Sequence, residues 1–237
     1  MGKSLALSVR NVYETLAICW PTVVDAALGR VTRASCDERL ASWSRSVVAN
    51  LGLQLDVVGA ENLDPTRTHI IMSNHQSHYD VPVLFSLLGG NMRMVAKKEL
   101  FDVPLLGRAM RESGFVEVDR SNRERAVESL RRAREHLASG VNIWIAPEGT
   151  RSRSGALLPF KKGGFHMAFE TGLPILPIAI DGTRHVLEVS HARSSPGLRV
   201  RVTIGKVIEM GDFVDQGRRG REEVMRHVRD AITGGLA

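Results

Sequence analysis

Seven residues, Asn74-His75-Gln76-Ser77-His78-Tyr79-Asp80, follow the apolar run Ile70-Ile71-Met72 after a single serine, Ser73. That run reads as a buried strand, so His75 falls where the chain leaves a sheet and turns outward. Strand ends are where α/β proteins usually place their chemistry. An imidazole beside a carboxylate has a definite use: the carboxylate fixes the ring tautomer and stabilises the imidazolium formed when the ring takes a proton. Five residues of continuous helix sweep through about 500°, which would set His75 and Asp80 on different faces. The pair can meet only if a turn separates them. Two other uses stay open at this point. Asp80 precedes Val81-Pro82 and suits a helix N-cap, and His75, His78 and Asp80 are all metal-ligating types. No second cluster supplies the remaining ligands, so no metal is expected.

Other strand ends carry cations. Ala146-Pro147-Glu148-Gly149-Thr150-Arg151-Ser152 combines a glycine turn, a hydroxyl and a guanidinium, which together can hold a phosphate. Glu148 is odd beside an anion unless it orients Arg151 or another cation. The segment Gly114-Phe115-Val116-Glu117-Val118-Asp119-Arg120 delivers a second arginine, Lys97 follows a third strand, and Lys161-Lys162 lies past the glycine turn. Each cation taken singly is an ordinary solvated side chain. Several strand ends supplying a histidine or a cation argue for one polar site on one rim of a sheet.

The elements that must position these residues alternate from about residue 53 onward. Leu53, Leu55 and Val57 alternate as a half-buried strand, 69–73 is a fully buried one, and 81–88 reads as a short helix with Pro82 in its first turn. Arg93–Ala96 and Phe115–Val118 are further strands. Ser121 and Glu124 form a capping box for a helix with a Val127, Leu130, Leu137 stripe, stopped by Gly140. Strands at Val141–Ala146, Ile175–Ile180 and Leu198–Ile204, a helix over 164–171 ended by Gly172, and a last helix bearing Val224, Val228 and Ile232 complete the series. The alternation predicts an α/β fold, with a sheet covered by helices.

Before it stand two amphipathic stripes. Leu5, Val9, Val12, Leu16 and Trp20 recur at helical spacing until Pro21 ends or kinks the helix, and Leu40, Trp43, Val47 and Leu51 form the second. With basic flanks at Lys3, Arg10, Arg30, Arg33 and Arg45, these helices could lie in a membrane interface or cover the core, because amphipathicity reports burial without naming the solvent. We therefore divide the chain into 1–52, amphipathic helices, and 53–237, the α/β domain.

The chain has 237 residues, enough for one sizeable core, and 43% hydrophobic with 24% charged residues is ordinary for a globular protein. A net charge of +6 favours acidic partners such as phosphate esters, anionic lipid or an acidic carrier protein. Aromatic residues make up only 5%, with no basic stretch interleaved with stacking residues, which disfavours nucleic acid. Cys19 and Cys36 are too few for a disulfide framework and fit a reducing cytoplasm. No run of eighteen apolar residues suggests a span, and Arg10 and Glu14 interrupt any signal-peptide core.

Asn74-His75-x-Ser77-x-x-Asp80 resembles the HX4D box of the glycerolipid acyltransferases, whose best-known members are 1-acylglycerol-3-phosphate acyltransferases. Ala96-Lys97-Lys98-Glu99-Leu100 is similar to that family's AKxEL segment, and Gly114 to Arg120 matches its second motif in length and ending. Pro147 to Ser152 resembles the third motif, Leu158-Pro159-Phe160-Lys161-Lys162-Gly163 the run that follows it, and Leu173 to Ile178 the fourth. HX4D alone is a weak signal; four boxes in order, spread from about 53 to 205, are a strong one. Glu117 and Ala146 depart from the usual pattern, and both bear on the acceptor pocket.

The resemblance implies a mixed, mostly parallel sheet flanked by helices, with an N-terminal amphipathic hairpin that docks on the cytoplasmic face of a membrane. It implies His75 as general base, Asp80 as the group that holds it, and Lys97, Arg120 and Arg151 on the phosphate of a lysophosphatidate, with Glu148, Gly149 and Thr150 shaping that pocket. The acyl donor would be an acyl-coenzyme A or acyl-carrier-protein thioester. A thioester already has a good leaving group, so no cofactor, metal or covalent intermediate is required. The alternatives are transfer to another lysolipid, such as a lyso-ornithine lipid, thioester hydrolysis, or a module that binds anionic lipid without catalysis.

Overall fold

The computed structural model describes residues 2–119 and 123–236, the side chains of 123–127 excepted. Its strands are β1 (Gln54–Val58), β2 (Ile70–Ser73), β3 (Met92–Lys97), β4 (Val116–Val118), β5 (Asn142–Ile145), β6 (Ile175–Asp181) and β7 (Arg199–Ile204). They form one sheet in the order β1-β7-β6-β2-β5-β3-β4. Five strands, β6 through β4 in that order, run parallel; β7 is antiparallel to β6 and β1 is parallel to β7. The sheet is thus mixed and mostly parallel. Parallel strands put their C-terminal ends on one rim, so the chain leaving β2, β3, β4, β5 and β6 emerges on the same side.

The helices are α1 (Leu5–Ala27), α2 (Arg33–Asn50), α3 (Asp80–Leu88), α4 (Lys98–Phe101), α5 (Leu106–Glu112), α6 (Arg123–Ala138), α7 (Gly163–Thr171), α8 (Thr183–Val186), α9 (Gly211–Val214) and α10 (Gly217–Gly235). Side chains alternate across a strand, so β2 feeds two cores. Ile71 packs with Leu176, Ile178, Val83, Leu84 and Phe85 beneath α2 and α3. Ile70 and Met72 pack on the other face with Phe165, Met167, Val224 and Val228 from α7 and α10. All four β2 residues are buried, as its unbroken apolar run requires.

The two N-terminal helices diverge. On α2, Leu40, Val47 and then Leu51 are buried in the core. On α1 the stripe faces outward: Leu5, Val9, Val12, Tyr13, Leu16 and Trp20 are exposed, with Trp20 at 65%. The buried residues of α1 are Asn11, Cys19 and Thr22. The helix runs through Pro21 instead of ending there, and beside the missing proline donor Thr22 Oγ1 donates to the Ile18 carbonyl at 2.8 Å. Among the described residues, no helix is long and apolar enough to cross a membrane.

Polar contacts fasten this hairpin to the sheet. Arg93 on β3, 3% exposed, donates Nη2–H to Asp37 of α2 at 2.7 Å, and its Nη1 reaches the carbonyls of Gly90 and Met92. Asn11 of α1 donates to the Tyr79 hydroxyl at 3.0 Å, which lies 2.7 Å from Ser194 Oγ. The expected strands fall within one or two residues of their positions in the sequence reading. The short helices α4, α5, α8 and α9 lie outside the expected pattern, and the Ser121–Glu124 capping box lies outside the described residues.

Candidate active site

The chain leaves β2 at Ser73, runs irregularly through residue 77, turns at 78–79 and enters α3 at Asp80. This is the turn that His75 and Asp80 need. His75 Nδ1 lies 2.7 Å from Asp80 Oδ2. The same oxygen accepts the backbone N–H of Gln76 at 2.7 Å and of Ser77 at 3.0 Å, while Oδ1 accepts the Thr183 hydroxyl at 2.5 Å. Asp80 is fully buried, and its partners are all donors. All of these contacts use the carboxylate as an acceptor. His75 Nδ1 must then carry the proton toward it, which leaves Nε2 as the ring nitrogen that can accept another. Asp80 is therefore the first helical residue, turned back onto the loop before it, and its oxygens serve that loop and the ring.

Neighbouring strands grip the turn. Asn74 donates Nδ2–H to the Ile180 carbonyl and accepts the Ile180 N–H, both at 2.8 Å, so its amide mimics a strand partner for β6. Ser77 is buried, with Oγ donating to the Leu187 carbonyl at 2.9 Å. The edge of Trp144 on β5 meets the His75 ring at 5.7 Å and 86°. The imidazole is consequently fixed on two sides, with its side chain 19% exposed.

Glu148 has a use that its position in the sequence did not suggest. It is 2% exposed; one carboxylate oxygen accepts the His75 N–H at 2.8 Å and the other accepts the Leu158 N–H at 2.7 Å. It clasps the β2 turn to the loop after β5, and among the described residues it forms an ion pair with neither Arg151 nor another cation. Burial raises its pKa above the ordinary value, against the opposing pull of these two backbone donors. The Ser152 N–H adds a 2.7 Å bond to the His75 carbonyl. Gly149 allows the turn between, at φ 73°, a value L side chains rarely adopt.

The remaining described candidates, Gly149, Thr150, Arg151 and Lys97, lie at or beyond strand ends on the same rim. Arg151 is half-buried, and burial draws its pKa down against the attraction of Asp80. Burial first, then the charge of Arg151 and the neighbouring His75, push the His78 pKa down to about 4, against the pull of Asp80. The His78 residue is nonetheless exposed to solvent. Thr150 is exposed and Gly149 half-buried. Lys97 ends β3 and is exposed; two strands from β2, it stands about 10 Å across the sheet. Arg120 lies outside the described residues. Sequence reasoning missed Thr183 and Trp144. Thr183 had a signal, since it follows Asp181-Gly182 at the end of a buried strand on the same rim.

A mostly parallel sheet with a His–Asp pair spaced as HX4D at its C-terminal rim, and Arg151 near it, defines a class of group-transfer proteins. The chain belongs to the acyltransferase family, matching it over residues 54–181. It is 38% identical over 154 residues to the chloroplastic 1-acyl-sn-glycerol-3-phosphate acyltransferase BAT2 of Brassica napus, covering 65% of this chain and 44% of that one. The 1-acyl-sn-glycerol-3-phosphate acyltransferase of Saccharomyces cerevisiae is 33% identical over 189 residues, covering 75% and 62%. This chain thus spans less than two thirds of the length of these relatives. The crystal structure of the 1-acyl-sn-glycerophosphate (LPA) acyltransferase PlsC from Thermotoga maritima superposes with a TM-score of 0.73 at 27% identity, covering 97% of this chain and 95% of that one.

Proposed function

We propose that this protein transfers an acyl group from a thioester to the free hydroxyl of lysophosphatidate, forming phosphatidate. The observation that carries the reading is the 2.7 Å His75–Asp80 contact through Nδ1, which among the described residues leaves Nε2 without a hydrogen bond, on a rim that also bears Arg151. The relatives' activity supports the choice of acceptor. In the reaction Nε2 takes the hydroxyl proton as the acceptor oxygen attacks the thioester carbonyl. Asp80 stabilises the resulting imidazolium, the tetrahedral adduct collapses, and the departing thiolate takes the proton back. Positioned proton transfer of this kind is worth about 10²- to 10⁴-fold in rate. Arg151, Lys97 and Arg120 are the proposed partners of the acceptor's phosphate, and Glu148 keeps the loop bearing Arg151 in register with His75.

The acceptor is a lipid, and the bare face of α1 supplies a surface to meet it. Fully burying a Leu or Val side chain is worth about 1.5–3 kcal/mol, so partial insertion of six apolar side chains favours docking in a bilayer interface. Peripheral attachment at the cytoplasmic face is the arrangement we propose. Product analysis tests the reaction: vesicles holding lysophosphatidate, given acyl-coenzyme A or acyl-carrier protein, should gain phosphatidate as free thiol appears. Free fatty acid in place of phosphatidate would indicate a hydrolase. Product only from another lysolipid would change the acceptor, and binding without thiol release would leave a lipid-binding module.

A further inference from the structure

On the face of the sheet opposite α1 lies a groove between α7 and α10, enclosing a cavity of about 140 Å³. Lys162, His166, Arg218 and Arg221 line it, over a floor that includes Phe165 and Met225. Glu222 is the one carboxylate in its wall among the described residues, and it is engaged by Arg218 at 3.1 Å. Among the described residues, Lys162 and Arg221 make no ion pair. Three permanent cations thus face one carboxylate, in a concavity with an apolar base.

Two features tie this groove to the active site. Lys162 is four residues beyond Leu158, whose N–H is held by the same Glu148 carboxylate that holds His75. From α10, Arg229 donates to the Leu158 carbonyl at 2.6 Å and stacks over Phe160 at 4.4 Å, so the groove wall and the catalytic loop are joined on both sides. Four residues span at most about 14 Å. The second feature is orientation. The α7/α10 layer packs on the face of the sheet away from the hairpin. A bilayer that takes the apolar face of α1 does not cover this groove, so an anion held there arrives from water.

We propose that the α7/α10 groove binds the phosphate-bearing end of a coenzyme A thioester, whose 3′-phosphate and diphosphate meet Lys162, Arg218 and Arg221 while its base covers the apolar floor. The pantetheine arm then runs past Leu158 to place the thioester at His75. This rests on the acyltransferase reading and assigns a place to its donor. Charge-assisted contacts to phosphate of this number favour binding by a factor of ten or more.

The test compares palmitoyl-coenzyme A with palmitoyl-pantetheine, which lacks the phosphoadenosine end, in the wild-type protein and in Lys162→Glu/Arg221→Glu. Both substitutions are at positions outside the core, and a thermal melt checks the fold. The wild type should prefer the coenzyme A thioester in kcat/KM, and the double variant should lose that preference by about tenfold or more. Titration of free coenzyme A gives a readout independent of turnover: its affinity should fall by a similar factor. An unchanged preference with unchanged coenzyme A affinity overturns the proposal. So does a loss confined to acyl-carrier protein, which would make the groove a protein-docking surface. A wild type that binds coenzyme A yet transfers from neither donor removes the acyltransferase reading itself, and the groove's proposed role with it.

Discussion

The catalytic turn and the first helix handle polarity in opposite ways. At 74–80, buried polar groups converge: Asp80 alone satisfies a ring nitrogen, two backbone amides and a hydroxyl. Along α1, six large apolar side chains stand bare while Asn11 and Thr22 point inward. Satisfied polar networks rigidify a site, whereas a continuous exposed apolar face marks a surface awaiting a partner. One region is finished by the chain itself and the other is not. Asn11 joins them, since it reaches from α1 to the hydroxyl of Tyr79, the residue before Asp80.

The largest effect expected on this contrast comes from Asp80→Asn. It keeps the size but removes the anion that fixes the His75 tautomer, and transfer should fall by about 10²- to 10⁴-fold in a thiol-release assay. Retained activity would show that the turn's polar convergence serves folding alone.

Next, the two N-terminal helices can be set against each other. Val9→Ser/Val12→Ser/Trp20→Ser should weaken vesicle binding by about a hundredfold with little change in thermal stability, because no core loses volume. Leu40→Ala on α2 should do the reverse, costing about 2–4 kcal/mol in denaturant unfolding and sparing vesicle affinity. A triple variant that unfolds, or binds vesicles normally, would break the distinction.

Tyr79→Phe probes the link between the regions. It strips the hydroxyl that pairs with Asn11 and Ser194, so a cost of about 1–2 kcal/mol is expected, with a few-fold drop in kcat and an unchanged lysophosphatidate KM. A KM change with constant kcat would show that this strut serves the acceptor instead of the dyad.

The smallest effect lies far from both. His69 is 1% exposed, and among the described residues neither ring nitrogen makes a close hydrogen bond. Burial, then Arg67, lowers its pKa below 6.5, against the pull of Asp64 and Glu209. The unfolded chain thus takes the proton first as pH falls, so this contribution is complete above pH 6.5 and is lost as pH drops through the folded value. Melting temperatures of His69→Leu should decline less between pH 7 and 5 than those of the wild type.

Much of this was legible beforehand because it depends on local pattern. The unbroken Ile70-Ile71-Met72 run needs a strand buried on both faces, and the spacing of His75 and Asp80 demands a turn. Long-range pairings left no such trace. That Glu148 would hold two backbone amides, or that Trp144 on β5 would meet the His75 ring, depends on strand order. The α1 stripe shows the limit most clearly: its period matched that of α2, and only the polar inward face at Asn11, Cys19 and Thr22 separated a helix facing out from one facing in.

The central claim is that the free nitrogen of His75 takes the acceptor's proton. Single-turnover thiol release from acyl-coenzyme A, on vesicles saturated with lysophosphatidate, tests it by comparing the wild type with a His75→Ala variant of matching thermal stability. The account predicts a loss of at least about 10²-fold. A rate within a few-fold of the wild type would contradict it.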